Sequence, residues 1–306
     1  MAVEIQPRPA GPAGTGPEIV GANRSWWLRP GVLTGLIGAV AGYFIGHWLG
    51  NFLGGDYDRS SLADTNDVAI VLGYAGSVIG WLAGLGVFND LFLMMLGKPL
   101  REESRLLGTQ EGGLAKYFRF TLDHKVVGIQ YLFGMIVYFL TGGLFAMAIR
   151  SELLSPTYHL IGPQQYLMVV GEHGTMMMMM MSSVILGPFG QYFGPLLIGS
   201  KRVAFPRLEA LGFWLTVPAY VILLSAVLMG GFSTGWTGYE PLATQATQGE
   251  DAYFFAFGLM GISMILAGFN MIVTIINYRA PGMRWNRLPM FVWSMFTVSF
   301  LQVLAV

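Results

Sequence analysis

The strongest constraint on this chain is a series of seven apolar runs, each at least about as long as a bilayer is thick. Lipid offers the backbone no hydrogen-bond partners, so a spanning segment needs roughly 20 mostly apolar residues in helical form. Such runs lie near residues 31–53, 68–96, 126–149, 165–198, 210–231, 253–278 and 288–306. The fourth exceeds one bilayer thickness, so its ends are expected to project beyond the hydrocarbon. The last is cut short by the end of the sequence. The expected fold class is an all-α polytopic membrane protein with about seven transmembrane helices. Composition agrees: 11% of the 306 residues are charged, where a soluble domain carries roughly a quarter.

Residues 1–30 are polar and rich in Pro and Gly, and read as a flexible cytoplasmic tail. They are not expected to be a signal peptide, because the apolar run starts late and no cleavage site follows a short apolar core. The remainder divides into a two-helix hairpin at 31–96, a basic connection at 97–124 and a five-helix unit at 125–306. The absence of Cys excludes Fe–S clusters, thiolate zinc sites, thiol catalysis and thioether haem attachment. A net charge of zero without a basic run argues against nucleic acid.

The 17 basic residues set the orientation. Arg8, Arg24 and Arg29 precede the first run. Lys98, Arg101, Arg105, Lys116, Arg119 and Lys125 lie between the second and third. Lys201, Arg202 and Arg207 follow the fourth, and Arg279, Arg284 and Arg287 precede the seventh. With seven spans all of these share one side, leaving only Arg59 and Arg150 on the other. The positive-inside rule then places the N-terminus in the cytoplasm. The opposite side is acidic, with Asp56, Asp58, Asp64, Asp67, Glu240, Glu250 and Asp251.

Chemistry-bearing residues are few. Of the four histidines, His124 and His159 read as loop residues, and His47 as interfacial beside Trp48. His173 lies inside the fourth run, where an imidazole costs desolvation unless its nitrogen is used. Neutral imidazole is a good haem-iron ligand, and the alternative is a hydrogen bond to a neighbouring helix. Glu172 precedes it but points about 100° away, toward another helix or water. Gly171 and Gly174 flank the pair, and small residues there allow a porphyrin or a second helix to approach closely. The methionines at 176–181 cover every face of a helix and read as adaptable apolar filler. Trp236 and Tyr239 have the placement of interfacial anchors.

Eight strings in order then carry a resemblance: LDHKVVGIQYL at 122–132, GGLFAMAIRSEL at 142–153, Tyr166 seven residues before HGT, QYFGPLLIGS at 191–200, AFPRLEALGFWL at 204–215, GWTGYEPL at 235–242, GISMILAGFNMIVTIINYRAPGM at 261–283 and LPMFVWS at 288–294. Together they resemble subunit I of the haem–copper terminal oxidases over roughly 122–306, the first five helices of that family's twelve-helix core. The hairpin at 31–96 has no counterpart there.

The resemblance implies that His173 is one axial ligand of a low-spin haem, of A or B type. It implies that Arg150 hydrogen-bonds the haem periphery and raises its potential. Tyr166 and Gly174 match the same neighbourhood, and Trp236 and Tyr239 match a loop over the propionates. Glu152 matches a peripheral Ca²⁺ or Na⁺ carboxylate of some members. The second axial His, the copper ligands and the high-spin haem ligand belong to later helices. They are therefore expected on a complementary C-terminal half of subunit I carried by another chain. One proton-channel Asp of the family is replaced by Arg202, and its Asn positions by Gln191 and Glu209. A cation there would repel protons, so the channel is expected to be absent or rebuilt, with Glu209 as a substitute acceptor.

The implied function is that of a terminal oxidase subunit, not catalytic alone, in a prokaryotic cytoplasmic membrane. Its partners would be lipid, a copper-bearing subunit II, other oxidase subunits, and cytochrome c as donor. A quinol-fed oxidase and a non-catalytic scaffold or assembly subunit are the alternatives.

Overall fold

A computed structural model describes residues 30–53, 67–97, 113–157, 159–181, 186–244 and 248–305. The expected tail and most of the basic connection lie outside the described residues, which contain no strand. The helices are α1 (Val32–Leu53), α2 (Asp67–Gly84), α3 (Asn89–Met95), α4 (His124–Glu152), α5 (Pro163–Thr175), α6 (Tyr192–Leu197), α7 (Pro206–Leu228), α8 (Gln248–Asn277) and α9 (Met290–Ala305). Among the described residues, α1, α4, α7 and α8 are long and apolar enough to cross a membrane, and Val68–Gly84 and α9 are shorter apolar helices. The protein is an all-α membrane protein.

Local chemistry sets the helix starts. Asp123 caps α4 by accepting the backbone N–H of Lys125 at 2.9 Å. Pro163 and Pro206 occupy the first turns of α5 and α7, where a missing N–H costs nothing. Just before α7, the N–H of Phe205 donates to Asn270 Oδ1 at 2.8 Å, which ties this helix start to α8.

Two expected spans are less regular than the sequence suggested. The second is not one helix over 68–96: α2 ends at Gly84, Gly86 turns the chain with φ of +79°, and α3 restarts at Asn89. The fourth begins as α5, continues as a π-helix over Met176–Met181, and is again π-helical over Leu186–Gln191 before α6. Pro188 lies in the second π segment, where its missing N–H favours departure from the regular ladder.

Helices α7 and α8 form the centre of the bundle, with α2, α4 and α9 against them. The α1–α2 pair closes through glycine. A Cβ on Gly38 would stand 2.1 Å from the carbonyl oxygen of Gly80, and one on Gly42 2.0 Å from that of Gly76. The two backbones therefore touch, as small residues permit in membrane helices.

The pair is fastened to the core by a hydrogen bond that proline requires. Pro218 sits inside α7 and cannot donate to the carbonyl of Trp214, four residues back. The indole Nε1–H of Trp81 on α2 fills that vacancy at 3.0 Å. Tyr74, two turns away on α2, adds a hydroxyl contact to Ser225 Oγ at 3.0 Å.

Candidate haem-ligand site

The site is built where α4, α5 and the loop after α7 meet at the acidic end of the bundle. The Nδ1 atom of His173 lies 2.8 Å from the carbonyl oxygen of Gly142 on α4. A carbonyl can only accept, so Nδ1 donates, and in the neutral ring Nε2 keeps its lone pair. Among the described residues the hydrogen bond of this ring is the one made by Nδ1. This is the tautomer an Nε2 metal ligand requires, with the ring orientation held by a backbone acceptor. Gly142 lets the two segments approach: a Cβ there would lie 2.8 Å from Met177 Sδ.

His173 is half-buried and faces an incompletely covered side of α5. Tyr166, half-buried, is seven residues earlier, nearly on the same face and about 10 Å along the axis. Val170 between them is exposed. The flanking glycines are covered by the loop after α7. A Cβ on Gly171 would lie 2.7 Å from Phe232 Cε2, and one on Gly174 3.0 Å from Trp236 Cδ1. Trp236 itself is 42% exposed and Tyr239 75%, so the loop offers an open aromatic surface beside His173.

Arg150 is exposed in the last turn of α4, eight residues and about 12 Å beyond Gly142. It thus lies on the same side of His173 as Tyr166. Glu152 is engaged locally. Its Oε1 meets His159 Nδ1 at 2.7 Å, and its Oε2 accepts the N–H groups of Leu160 and Ile161 at 2.8 and 3.0 Å. The carboxylate therefore holds residues 159–161 against the end of α4. Among the described residues no three His, Asp or Glu side chains converge as a metal site.

At the opposite, basic end Glu209 and Gln191 are 1% and 0% exposed. Neither carboxylate oxygen of Glu209 and neither amide atom of Gln191 has a hydrogen-bond partner among the described residues. The Tyr131 hydroxyl and Asn270 Nδ2 are in the same condition. Arg202 is exposed at the surface. Glu172, 0% exposed, shares an inner face with Val169 on α5 and with Met176 just beyond it, and leaves the His173 side free.

Two contacts, one at this site and one between α2 and α7, carry little signal in the sequence. Gly142 acts through its carbonyl, and the only available signal was the paired glycine at 142–143 in an otherwise bulky helix. Trp81 lies 133 residues from the carbonyl it serves, and only the proline at 218 hinted at a vacancy there.

A residue set able to hold a haem fits this geometry. Nε2 is an oriented, uncommitted electron-pair donor, and Trp236 packs on Gly174, the residue next to His173. No second histidine joins it: His159 is held by Glu152, His124 opens the far end of α4, and His47 stacks on Tyr43 in α1 at 5.8 Å.

Comparison with known proteins places most of the chain in one family. The model of the family described as Cytochrome C and Quinol oxidase polypeptide I matches residues 126–306. Cytochrome c oxidase subunit 1 of Thermostichus vulcanus is 44% identical over 191 residues, 62% of this chain and 35% of that protein. The subunit 1 proteins of Synechocystis sp. and Corynebacterium diphtheriae are each 38% identical, over 62% and 64% of this chain and 34% and 36% of their own lengths. The chain thus spans about a third of the curated relatives it matches.

Proposed function

Because the chain belongs to the Cytochrome C and Quinol oxidase polypeptide I family, we propose that it holds the low-spin haem of a respiratory haem–copper oxidase. His173 would hold that haem, whose iron would supply the one-electron chemistry linking cytochrome c to a binuclear centre where oxygen becomes water. The observation that carries this reading is the His173–Gly142 hydrogen bond, which fixes Nε2 as the free nitrogen. When bound, the haem supplies a one-electron iron couple at the potential its surroundings set. The residues here do the rest. His173 provides one axial nitrogen, and Arg150 and Tyr166 offer polar groups on the side where negatively charged propionates would lie. Trp236 shields the ligand helix from water.

The second axial ligand, the high-spin haem and the copper exceed what four histidines can bind. They come from polypeptide outside these 306 residues, alongside a copper-bearing subunit II and other oxidase subunits. The membrane would be the prokaryotic cytoplasmic one. Three relatives named for cytochrome c favour that donor over a quinol.

The reading is tested by purifying the complex through a tag on this chain and recording its reduced-minus-oxidised spectrum. A low-spin haem band is expected, with cytochrome c supporting oxygen consumption. A complex without that band overturns the proposal.

Protons are assigned to the basic end. Buried polar atoms without protein partners require water, and Glu209, Gln191, Asn270 and Tyr131 together would hold a chain of it between α4, α7 and α8. Glu209 is the only carboxyl among these four residues. Glu209→Gln is expected to lower the protons moved per electron in vesicles toward the number consumed by the chemistry alone. An unchanged stoichiometry removes Glu209 from the path.

A further inference from the structure

One buried carboxyl has no part in the function above. Glu250, in the first turn of α8, is 2% exposed. Its Oε1 accepts the hydroxyl of Thr234 at 2.6 Å. Thr234 immediately precedes the single 3₁₀ turn Gly235–Thr237, which carries Trp236.

A second tether runs from the same helix. Tyr253, three residues after Glu250, donates its hydroxyl to the carbonyl oxygen of Trp236 at 2.6 Å. Its ring stacks on Phe232, with centroids 4.6 Å apart and planes 28° from parallel. The backbones also touch, since a Cβ on Gly249 would stand 2.2 Å from the carbonyl oxygen of Gly231. Residues 231–236 are therefore a strap held against the first two turns of α8 by two side-chain hydrogen bonds, one ring stack and one glycine contact.

The other side of the strap bears on the ligand helix. Phe232 covers Gly171 and Trp236 covers Gly174, the two glycines that bracket Glu172 and His173. Neither aromatic would fit over a larger residue without displacement. The strap thus converts the position of α8 into the position of the α5 turn that carries the imidazole.

We propose that Glu250 and Tyr253 are positioning residues: through the 231–236 strap they fix the turn of α5 bearing His173, and so set the orientation and water exposure of that imidazole as an iron ligand. The proposal rests on the haem reading. Outer-shell groups that orient a ligating histidine and exclude solvent tune both geometry and potential.

The test uses the purified oxidase complex with Thr234→Val, Glu250→Ala, Glu250→Gln and Tyr253→Phe. Hydrogen–deuterium exchange of residues 231–237 reads the strap directly. Loss of one hydrogen bond at this clamp is expected to speed exchange there about tenfold in Thr234→Val, Glu250→Ala and Tyr253→Phe. Glu250→Gln retains an acceptor oxygen and should stay close to wild type. The Thr234→Val/Glu250→Ala double variant should exchange no faster than the faster single. The low-spin haem should remain bound in all of them. Its midpoint potential and its electron paramagnetic resonance line shape should shift in the variants whose strap loosens, and return in Glu250→Gln.

Wild-type strap exchange in Thr234→Val and Tyr253→Phe overturns the proposal. So does a loosened strap with unchanged potential and line shape. A wild-type complex lacking the low-spin band sinks the haem reading instead, and the tuning role falls with it, while exchange still reports whether Glu250 holds the strap.

Discussion

Gly42→Leu is expected to force α1 away from α2 and to be among the most destabilising single changes in the protein. A Cβ at that position meets the carbonyl oxygen of Gly76 at 2.0 Å. The obstacle is opposing backbone, so no side-chain rotation relieves it. The helices must separate, and the loss runs along the seam, because Gly38 faces Gly80 in the same way. Overpacking typically costs about 1–3 kcal/mol and more where nothing can yield, so about 3 kcal/mol or more is expected here. Trp81→Phe makes an instructive contrast. It keeps the ring against Trp214 but leaves the carbonyl freed by Pro218 without its donor, at a cost of about 1–3 kcal/mol. Gly258→Ala serves as the control, since a Cβ there meets nothing within 4 Å and improves helix propensity. Thermal unfolding of the detergent-solubilised protein should rank the variants Gly42→Leu, Trp81→Phe, Gly258→Ala from least to most stable. Gly42→Leu melting together with the Gly258→Ala control would remove the backbone seam from the account.

These contacts mark how far the sequence could be read. Apolar run length reveals helices because lipid imposes one solution on the backbone, and the starts at Asp123, Pro163 and Pro206 carry local signals. The break after α2 was harder: the apolar run continues through Gly86, and only its backbone angle shows the turn. The glycines of α1 recur every four residues from Gly38 to Gly50, yet spacing alone cannot name the helix they meet. His173 was legible because an imidazole in an apolar span is costly without a use. Its Gly142 partner was not, since every residue has a carbonyl and only packing chooses one. The Glu250–Thr234 and Trp81–Trp214 bonds join side chains and backbone across loops and helices, and no pattern within either segment encodes them.

His173→Ala is expected to abolish the low-spin haem band while leaving the complex assembled. The two halves of that expectation rest on separate observations. Loss of haem follows from Nε2, the ring nitrogen that the Nδ1–Gly142 hydrogen bond orients and leaves uncommitted. None of the other three histidines can take its place, because His47, His124 and His159 sit on other elements with their own surroundings. Retention of assembly follows from how little else the ring does. It is half-buried, and its hydrogen bond is to a helical carbonyl whose second lone pair can remain within the α4 ladder. Removing it should cost about 1 kcal/mol or slightly more, well below the effect at Gly42. Tyr166→Phe supplies the comparison on the same face of α5, and should keep the band, because the phenol is no iron ligand in this arrangement. Oxygen consumption driven by cytochrome c should fall to background in His173→Ala and persist in Tyr166→Phe. The subunit content of the two purified complexes should match. A low-spin band of wild-type intensity in His173→Ala would assign the iron to another ligand and remove the basis for the proposed electron path.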